Sequence, residues 1–242
     1  MTQNIYDNDD FFAGYAKLKR SEEGLAGAPE WPSMSAMLPD LSGLAVLDLG
    51  CGFGSFCRHA REKGAGSVVG VDVSEKMLAR AVEASDPAIR YVRADLDAFT
   101  LEPNTFNVVY SSLAFHYLKN LDALLAEIAK ALVPGGRLVF SVEHPMFTAP
   151  VTPDWAATAE GRKAWPVDSY LKEGPRTTNW LAPGVIKQHR TMATYLNLLW
   201  RNQLAVFHVE EWGPTDAQIA DWPALADERE RPTFLLLGAT RD

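Results

Sequence analysis

The sequence predicts an α/β fold, a doubly wound, mostly parallel seven-stranded sheet with helices on both faces. Three observations predict it. Short apolar runs alternate with amphipathic segments from residue 44 to 142, which calls for parallel strands joined by crossover helices. A glycine cluster, Gly50, Gly52 and Gly54, closes the first apolar run. The 242 residues are 47% hydrophobic and 22% charged, which suits a buried sheet and excludes a globally disordered chain.

The elements follow in order. In DFFAGYAKLKRS (10–21), Phe11, Phe12, Tyr15 and Leu18 stand near helical spacing. A second short helix is expected after Pro32, which suits a first helical turn. LAVLDL (44–49) is the first buried strand, and residues 54–64 form a helix that stops near Gly64 and Gly66. SVVGVD (67–72) is the next strand; Ser74 caps the helix EKMLARAVEA, with Glu75 in its first turn. AIRYVRAD (88–95) and FNVVYSS (106–112) are strands. Helix 120–132 groups Leu121, Leu124, Leu125, Ile128 and Leu132 on one side. PGG at 134–136 is a turn before the strand RLVFSV.

Residues 145–190 break this rhythm. They hold six prolines together with Trp155, Trp165 and Trp180, too long for a connection and too aromatic for a solvated linker. Two extended stretches are expected there, AWPVDSYL and WLAPGVIKQH, separated by the turn signal EGPR. A helix (TMATYLNLLWRN), a strand (LAVFHVEEW), short helical turns over 214–231 and a closing strand (PTFLLLGAT, 232–240) complete the chain. The result is one Rossmann-like domain, 1–242, with a helical flap at 1–40 and an inserted lid at 145–190 on the substrate side.

Lys plus Arg is 23 against 31 Asp plus Glu, a net charge of −8, which argues against a broad phosphate-binding face. Two cysteines, Cys51 and Cys57, are too few for a disulfide framework. With no secretory pattern and no membrane-length apolar run, a cytoplasmic protein is expected. Neither cysteine has a ligand set of His and Cys around it, so no metal is expected.

The segment Val46–Gly54 carries the most information. Glycines between a strand and a helix let the backbone turn sharply and approach a ligand, and the helix start offers free N–H groups. The spacing is G-x-G-x-G, with Ser55 where a dinucleotide fingerprint has its last glycine. Asp72, at the end of the next strand, is sited to accept ribose hydroxyls. Asp95 follows the third strand, near where an adenine would rest.

These segments resemble the class I S-adenosylmethionine-dependent methyltransferases. The matching blocks are VLDLGCGFG (46–54), GVDVSEKML (70–78), YVRADLDAF (91–99), FNVVYSSLAFHYL (106–118) and LVPGGRLVFSVEHP (132–145), in family order. The resemblance implies S-adenosyl-L-methionine as cofactor. Asp48, Gly50, Gly52 and Gly54 would line its methionine part, and Asp72 would hold the ribose. Val73 and Met77 would flank the adenine, Asp95 would bond its amino group with Leu96 beside it, and Ser111 would approach the sulfonium. Tyr15, with Phe11, Lys19 and Arg20, belongs to a segment resembling the family's cofactor flap. Asn107 stands where members often carry Asp, which makes a metal there less expected.

Methyl transfer from a sulfonium is an in-line displacement, so the protein supplies orientation, a dry cavity and, where the acceptor needs one, a base. Candidate bases are His144 and His116, both after strands at the carboxyl edge where ligands bind such sheets. Glu143 adjoins His144. Trp180, Arg176, His189, Arg190 and Tyr195 are the expected substrate-binding residues. The expected function is methyl transfer to a small-molecule substrate, with no nucleic acid and no membrane partner. A nucleic-acid methyltransferase, an inactive S-adenosylmethionine-binding protein and a nicotinamide oxidoreductase are the rivals.

Overall fold

Residues 3–242 are described by a computed structural model of the chain. The amino terminus forms three short helices, α1 (Asp9–Tyr15), α2 (Lys19–Glu22) and α3 (Trp31–Ala36). The expected single helix over 10–21 is thus broken: α1 stops at Tyr15, and Leu18 begins a new turn as the cap of α2. The alternating core follows as β1 (Ala45–Leu49), α4 (Ser55–Glu62), β2 (Ser67–Asp72), α5 (Glu75–Glu83), β3 (Ile89–Arg93), β4 (Phe106–Ser112), α6 (Leu121–Ala131) and β5 (Leu132–Glu143). Ser74 caps α5 by accepting the Met77 N–H at 3.1 Å. The PGG turn lies inside the bounds of β5, where Gly135 has φ +75° and pairing with β4 jumps from Phe106–Leu132 to Val108–Arg137.

The insertion contains α7 (Pro145–Thr148), a minimal hairpin of β6 (Ala156–Ala157) and β7 (Lys163–Ala164), and a longer hairpin of β8 (Gly174–Trp180) and β9 (Ala182–His189). EGPR is therefore not the turn. Gly174 and Pro175 already pair with His189 and Gln188, and the chain reverses at Leu181, at φ +59°. Pro175 has no N–H to donate, which an edge strand tolerates. The chain ends with α8 (Met192–Arg201), β10 (Leu204–Trp212), α9 (Asp216–Asp221), a 3-10 stretch over Pro223–Arg229 and β11 (Phe234–Arg241).

Seven strands form one sheet in the order β10-β11-β5-β4-β1-β2-β3. β11 runs antiparallel between β5 and β10, and the other contacts are parallel. Strand alternation sorts side chains to two faces. Leu47, Leu49, Val109 and Phe140 meet α6 and α8 on one face. Val46, Val108, Tyr110 and Val139 meet Met34 of α3 and Phe56, Cys57 and Ala60 of α4 on the other. Each fully buried side chain of this size stabilises the fold by roughly 1.5–3 kcal/mol. The strand order reverses between β1 and β4, and it is outside the carboxyl ends of strands at such a switch point that ligands bind.

Candidate active site

A cavity of about 470 Å³ opens at that switch point, within the size range of small-molecule sites. One half lies over β1, β2 and β3, where Gly50, Gly52, Asp72, Val73, Met77, Asp95 and Leu96 line it. The other half lies over β4, β5 and β11, with Ser112, Leu113, Ala114, His116, Glu143 and Phe234. Tyr6, Tyr15 and Arg20 from the amino terminus, Trp180 from the hairpin, and Trp212, Trp222 and Leu225 from the carboxyl-terminal segment close it.

The glycine loop holds its shape through the backbone. Gly50 and Cys51 donate their N–H groups to the Val71 carbonyl at 2.8 and 3.0 Å. Gly50 sits at φ +77°, and a Cβ there would stand 2.3 Å from the Ala114 Cβ, so only glycine lets the two loops of the switch point meet. Asp72 braces the same loop: Oδ2 accepts the Gly52 N–H and Oδ1 the Ser74 N–H, both at 2.9 Å. Burial pushes its carboxyl up from the ordinary range against these donors. Asp95 caps the turn after β3, its Oδ1 accepting the Asp97 N–H at 3.1 Å.

Asp48 lies deeper, in a side chamber of about 90 Å³ shared with Arg20, Glu30, Cys51 and Tyr110. Its Oδ2 accepts from the Cys57 thiol at 3.4 Å. Burial drives its carboxyl up to about 7, and Asp72 adds to the rise. Arg20 donates through Nη2 to both oxygens of Glu30 at 3.0 and 3.1 Å. An anionic Glu30, a cationic Arg20 and a titratable Asp48 give the chamber groups of both charges at the foot of the glycine loop.

Several expected site residues stand elsewhere. Ser111 shares the face of Val109 and donates to the Leu49 carbonyl at 2.7 Å, so its neighbour Ser112 lines the cavity instead. Gly54 meets Tyr91, whose hydroxyl would lie 2.1 Å from an added Cβ, not the cavity. His144 caps α7: Nδ1 accepts the Met146 N–H at 3.0 Å and Nε2 donates to Glu211 at 3.0 Å. Burial pushes its pKa down, with Glu211 opposing, and no lone pair is left for a base.

His189 donates from Nε2 to the Tyr170 carbonyl and accepts the Thr148 hydroxyl at Nδ1, both at 2.8 Å. Arg176 donates to the carbonyls of Ala149, Ser169 and Lys172 and knots the insertion together. Arg190 donates to the Leu118 and Lys119 carbonyls, and Tyr195 is packed in the core. Of the five expected substrate residues, Trp180 is the one at the cavity.

His116 does line the cavity, as a donor. Its Nδ1 accepts the Glu143 N–H at 3.3 Å, which assigns the remaining hydrogen to Nε2. Burial lowers its pKa to about 4, so it is neutral near pH 7. Sequence reasoning missed Tyr6, Ser112, Tyr117, Phe147 and the whole carboxyl-terminal wall. It named Arg20 as part of the flap without giving it a site. Its pairing with Glu30 depends on the break in the helix expected over 10–21, which the sequence pattern does not signal.

The residues present fit a nucleoside joined to an amino acid. The glycine cradle is one that a Cβ would fill, Asp72 and Asp95 stand on the nucleoside half, and Arg20 and Asp48 match an amino acid's carboxylate and ammonium. Comparison with known proteins agrees. Residues 47–140 match the methyltransferase domain family. A crystal structure of an S-adenosylmethionine dependent methyltransferase from Mesorhizobium loti is 56% identical, with a TM-score of 0.87 over 90% of this chain and 100% of that one.

An uncharacterized protein of Haemophilus influenzae is 34% identical over 98% of this chain and 97% of its own length. A malonyl-[acyl-carrier protein] O-methyltransferase of Pectobacterium atrosepticum is 38% identical over 44% of this chain and 41% of its own. The chain belongs to the S-adenosylmethionine-dependent methyltransferases, and S-adenosylmethionine is its cofactor. No helix among the described residues is long and apolar enough to cross a membrane.

Proposed function

We propose that the protein methylates a small, neutral, largely apolar acceptor with a flat ring or chain. The observation that carries this is the half-cavity over β4, β5 and β11. Tyr117, Phe147, Trp180, Trp212, Trp222 and Phe234 wall it, and three separate chain segments roof it. Such walls favour planar apolar ligands. Of the two cations on the cavity wall, Arg20 lies beside the side chamber at the amino-acid end, and Lys19 stands over the Trp222 ring, 3.9 Å from Glu23. Behind the wall, Lys187 pairs with Glu143 and Arg231 with Glu228. On the acceptor half a carboxylate or phosphate would face the carboxylates of Glu143 and Glu228. The net charge of −8 also opposes a nucleic-acid backbone.

When bound, the cofactor supplies an electrophilic methyl group on sulfur. Asp72, Asp95 and the loop at Gly50 and Gly52 would hold the nucleoside. Arg20 and Asp48 would hold the amino-acid tail. Tyr15 closes over the glycine loop, its ring 5.8 Å from Phe53, and Tyr6 and Trp180 extend that roof. These residues exclude water and fix the direction of approach, which is most of what in-line methyl transfer asks of a protein. His116, neutral and donating from Nε2, can orient an acceptor oxygen or nitrogen.

The test is turnover. The protein is incubated with S-adenosylmethionine and three acceptor sets: neutral hydroxy- and aminoaromatics, a carboxylate-bearing acyl carrier protein, and total tRNA. Formation of S-adenosylhomocysteine is followed by mass spectrometry. Turnover with the first set is expected; turnover confined to the carrier protein or the tRNA overturns the reading.

A further inference from the structure

One charged group on the acceptor half has incomplete bonding. Glu143, the last residue of β5, lines the cavity. Its Oε1 accepts from Lys187 Nζ at 2.5 Å. Its Oε2 is shut off from solvent with no hydrogen-bond partner, the one buried carboxylate oxygen so placed among the described residues. By contrast Glu228, also on the wall, accepts from both Arg231 and Thr233 through Oε2. A buried ionised oxygen left unsatisfied is costly, and on the wall of a ligand cavity a bound donor is one way to complete it.

We propose that Glu143 is the specificity-determining residue for the acceptor: its carboxylate turns so that Oε2 meets the cavity and takes a hydrogen bond from an O–H or N–H on the atom to be methylated. The proposal rests on the small-acceptor reading above and narrows it to acceptors that carry a donor.

The surroundings fit this role. Lys187, on β9, is 5% exposed and held on three sides, by Glu143 and by the rings of Trp180 and Phe147 at 5.0 and 6.0 Å. Burial alone would push the Glu143 carboxyl up, but Lys187 and His116 more than offset it and leave it below the ordinary range. It is therefore an acceptor and not a donor near neutral pH. The pair with Lys187 cancels its charge, so a neutral partner suits it better than an ammonium. His116, bonded through Nδ1 to the Glu143 N–H, brings its Nε2–H to the same wall. One acceptor and one donor on the same wall match a hydroxyl or a neutral amine, and a buried carboxylate oxygen left unpaired rejects an analogue that lacks the hydrogen.

The experiment is isothermal titration of the protein saturated with S-adenosylhomocysteine, using 2-naphthol and 2-methoxynaphthalene as probes. They share a ring system; the ether replaces the donor hydrogen with a methyl group, and a double variant separates loss of the donor from the added size. Binding of 2-naphthol about tenfold tighter or more is expected. In the double variant Glu143→Met/Lys187→Met the two probes should bind alike. Replacing both partners avoids a stranded buried charge, and retained S-adenosylhomocysteine affinity shows that the variant folds. Equal binding of both probes to the unaltered protein overturns the proposal, with no variant needed, while leaving the apolar-acceptor reading intact. Discrimination that survives in the double variant also overturns it. Binding of neither probe overturns the apolar-acceptor reading, and the proposal with it.

Discussion

A carboxylate that accepts two backbone N–H bonds from opposite sides cannot turn freely, and Asp72 is held this way between Gly52 and Ser74. Asp72→Asn puts an amide NH₂ against one of those donors. We expect S-adenosylhomocysteine affinity to fall about 10–100-fold by calorimetry, and urea-monitored stability to drop by about 1–3 kcal/mol. An unchanged affinity would remove Asp72 from the cofactor site. Asp48 yields a pH prediction. Its carboxyl titrates near 7 in the fold, against about 3.9 in the unfolded chain. Between those values the folded state keeps a proton that the unfolded state has lost. Its contribution is therefore fully favourable below about pH 4 and is lost as pH rises through about 7, by about 4 kcal/mol in all. Asp48→Asn should flatten that slope in urea melts at successive pH values. A ligand ammonium favours the ionised form, so S-adenosylhomocysteine affinity should rise from about pH 5.5 to about 7.5 in the wild type and stay level in Asp48→Asn.

At the scale of elements, the roof is a clasp of aromatic rings from distant segments. Trp180, at the tip of β8, meets Phe11 and Tyr15 of α1 edge-on at 5.5 and 6.4 Å, and Tyr6 meets Phe11 at 4.8 Å and Tyr117 at 5.9 Å. Trp180→Ala removes the one ring that joins hairpin to helix. A stability loss of about 1–3 kcal/mol is expected by thermal melts, less than for a core tryptophan because Trp180 is half-buried. Cofactor affinity should fall with it; a stability loss alone would mark the clasp as packing. This clasp also shows where sequence reasoning reached its limit. The strand and helix runs from 44 to 142 were legible because burial on both faces imposes a local pattern. Phe106–Ser112 and Leu204–Trp212 lie where their residues place them. Gly174-Pro175 reads locally as a turn, yet pairing with β9 draws it into a strand. His144, His189, Arg176 and Arg190 carry useful chemistry in isolation, but neighbours invisible in one dimension consume their hydrogen bonds. The carboxyl-terminal wall was illegible for the same reason: Trp222 and Phe234 face a ligand only once β11 lies beside β5.

For the whole molecule, the division of labour follows from topology. The sheet is held by packing on its two apolar faces, whereas the cavity is closed by Tyr6–Arg20, the β8–β9 hairpin and the segment Trp212–Phe234. These three pieces are far apart in the chain and meet mostly through ring edges and exposed polar contacts, the kind of packing that opens locally well below the cost of global unfolding. Arg231 ties the last of them to the earlier part of the insertion, its guanidinium 4.4 Å from the Phe147 ring centroid and 4.3 Å from that of Trp165. A ligand that fills the cavity touches all three, so binding should couple their openings. Hydrogen exchange followed by mass spectrometry measures this directly. With saturating S-adenosylhomocysteine, amides in Tyr6–Arg20 and in the β8–β9 hairpin should slow together with those of the glycine loop, because each must open for the ligand to leave. The central strands β1, β4 and β5, which exchange only through global unfolding, should slow by the single factor set by ligand concentration over its dissociation constant. Slowing confined to residues 50–54 and 72–77, with the amino-terminal helices and hairpin unaffected, would mean that the cofactor enters and leaves beneath a roof that never takes part.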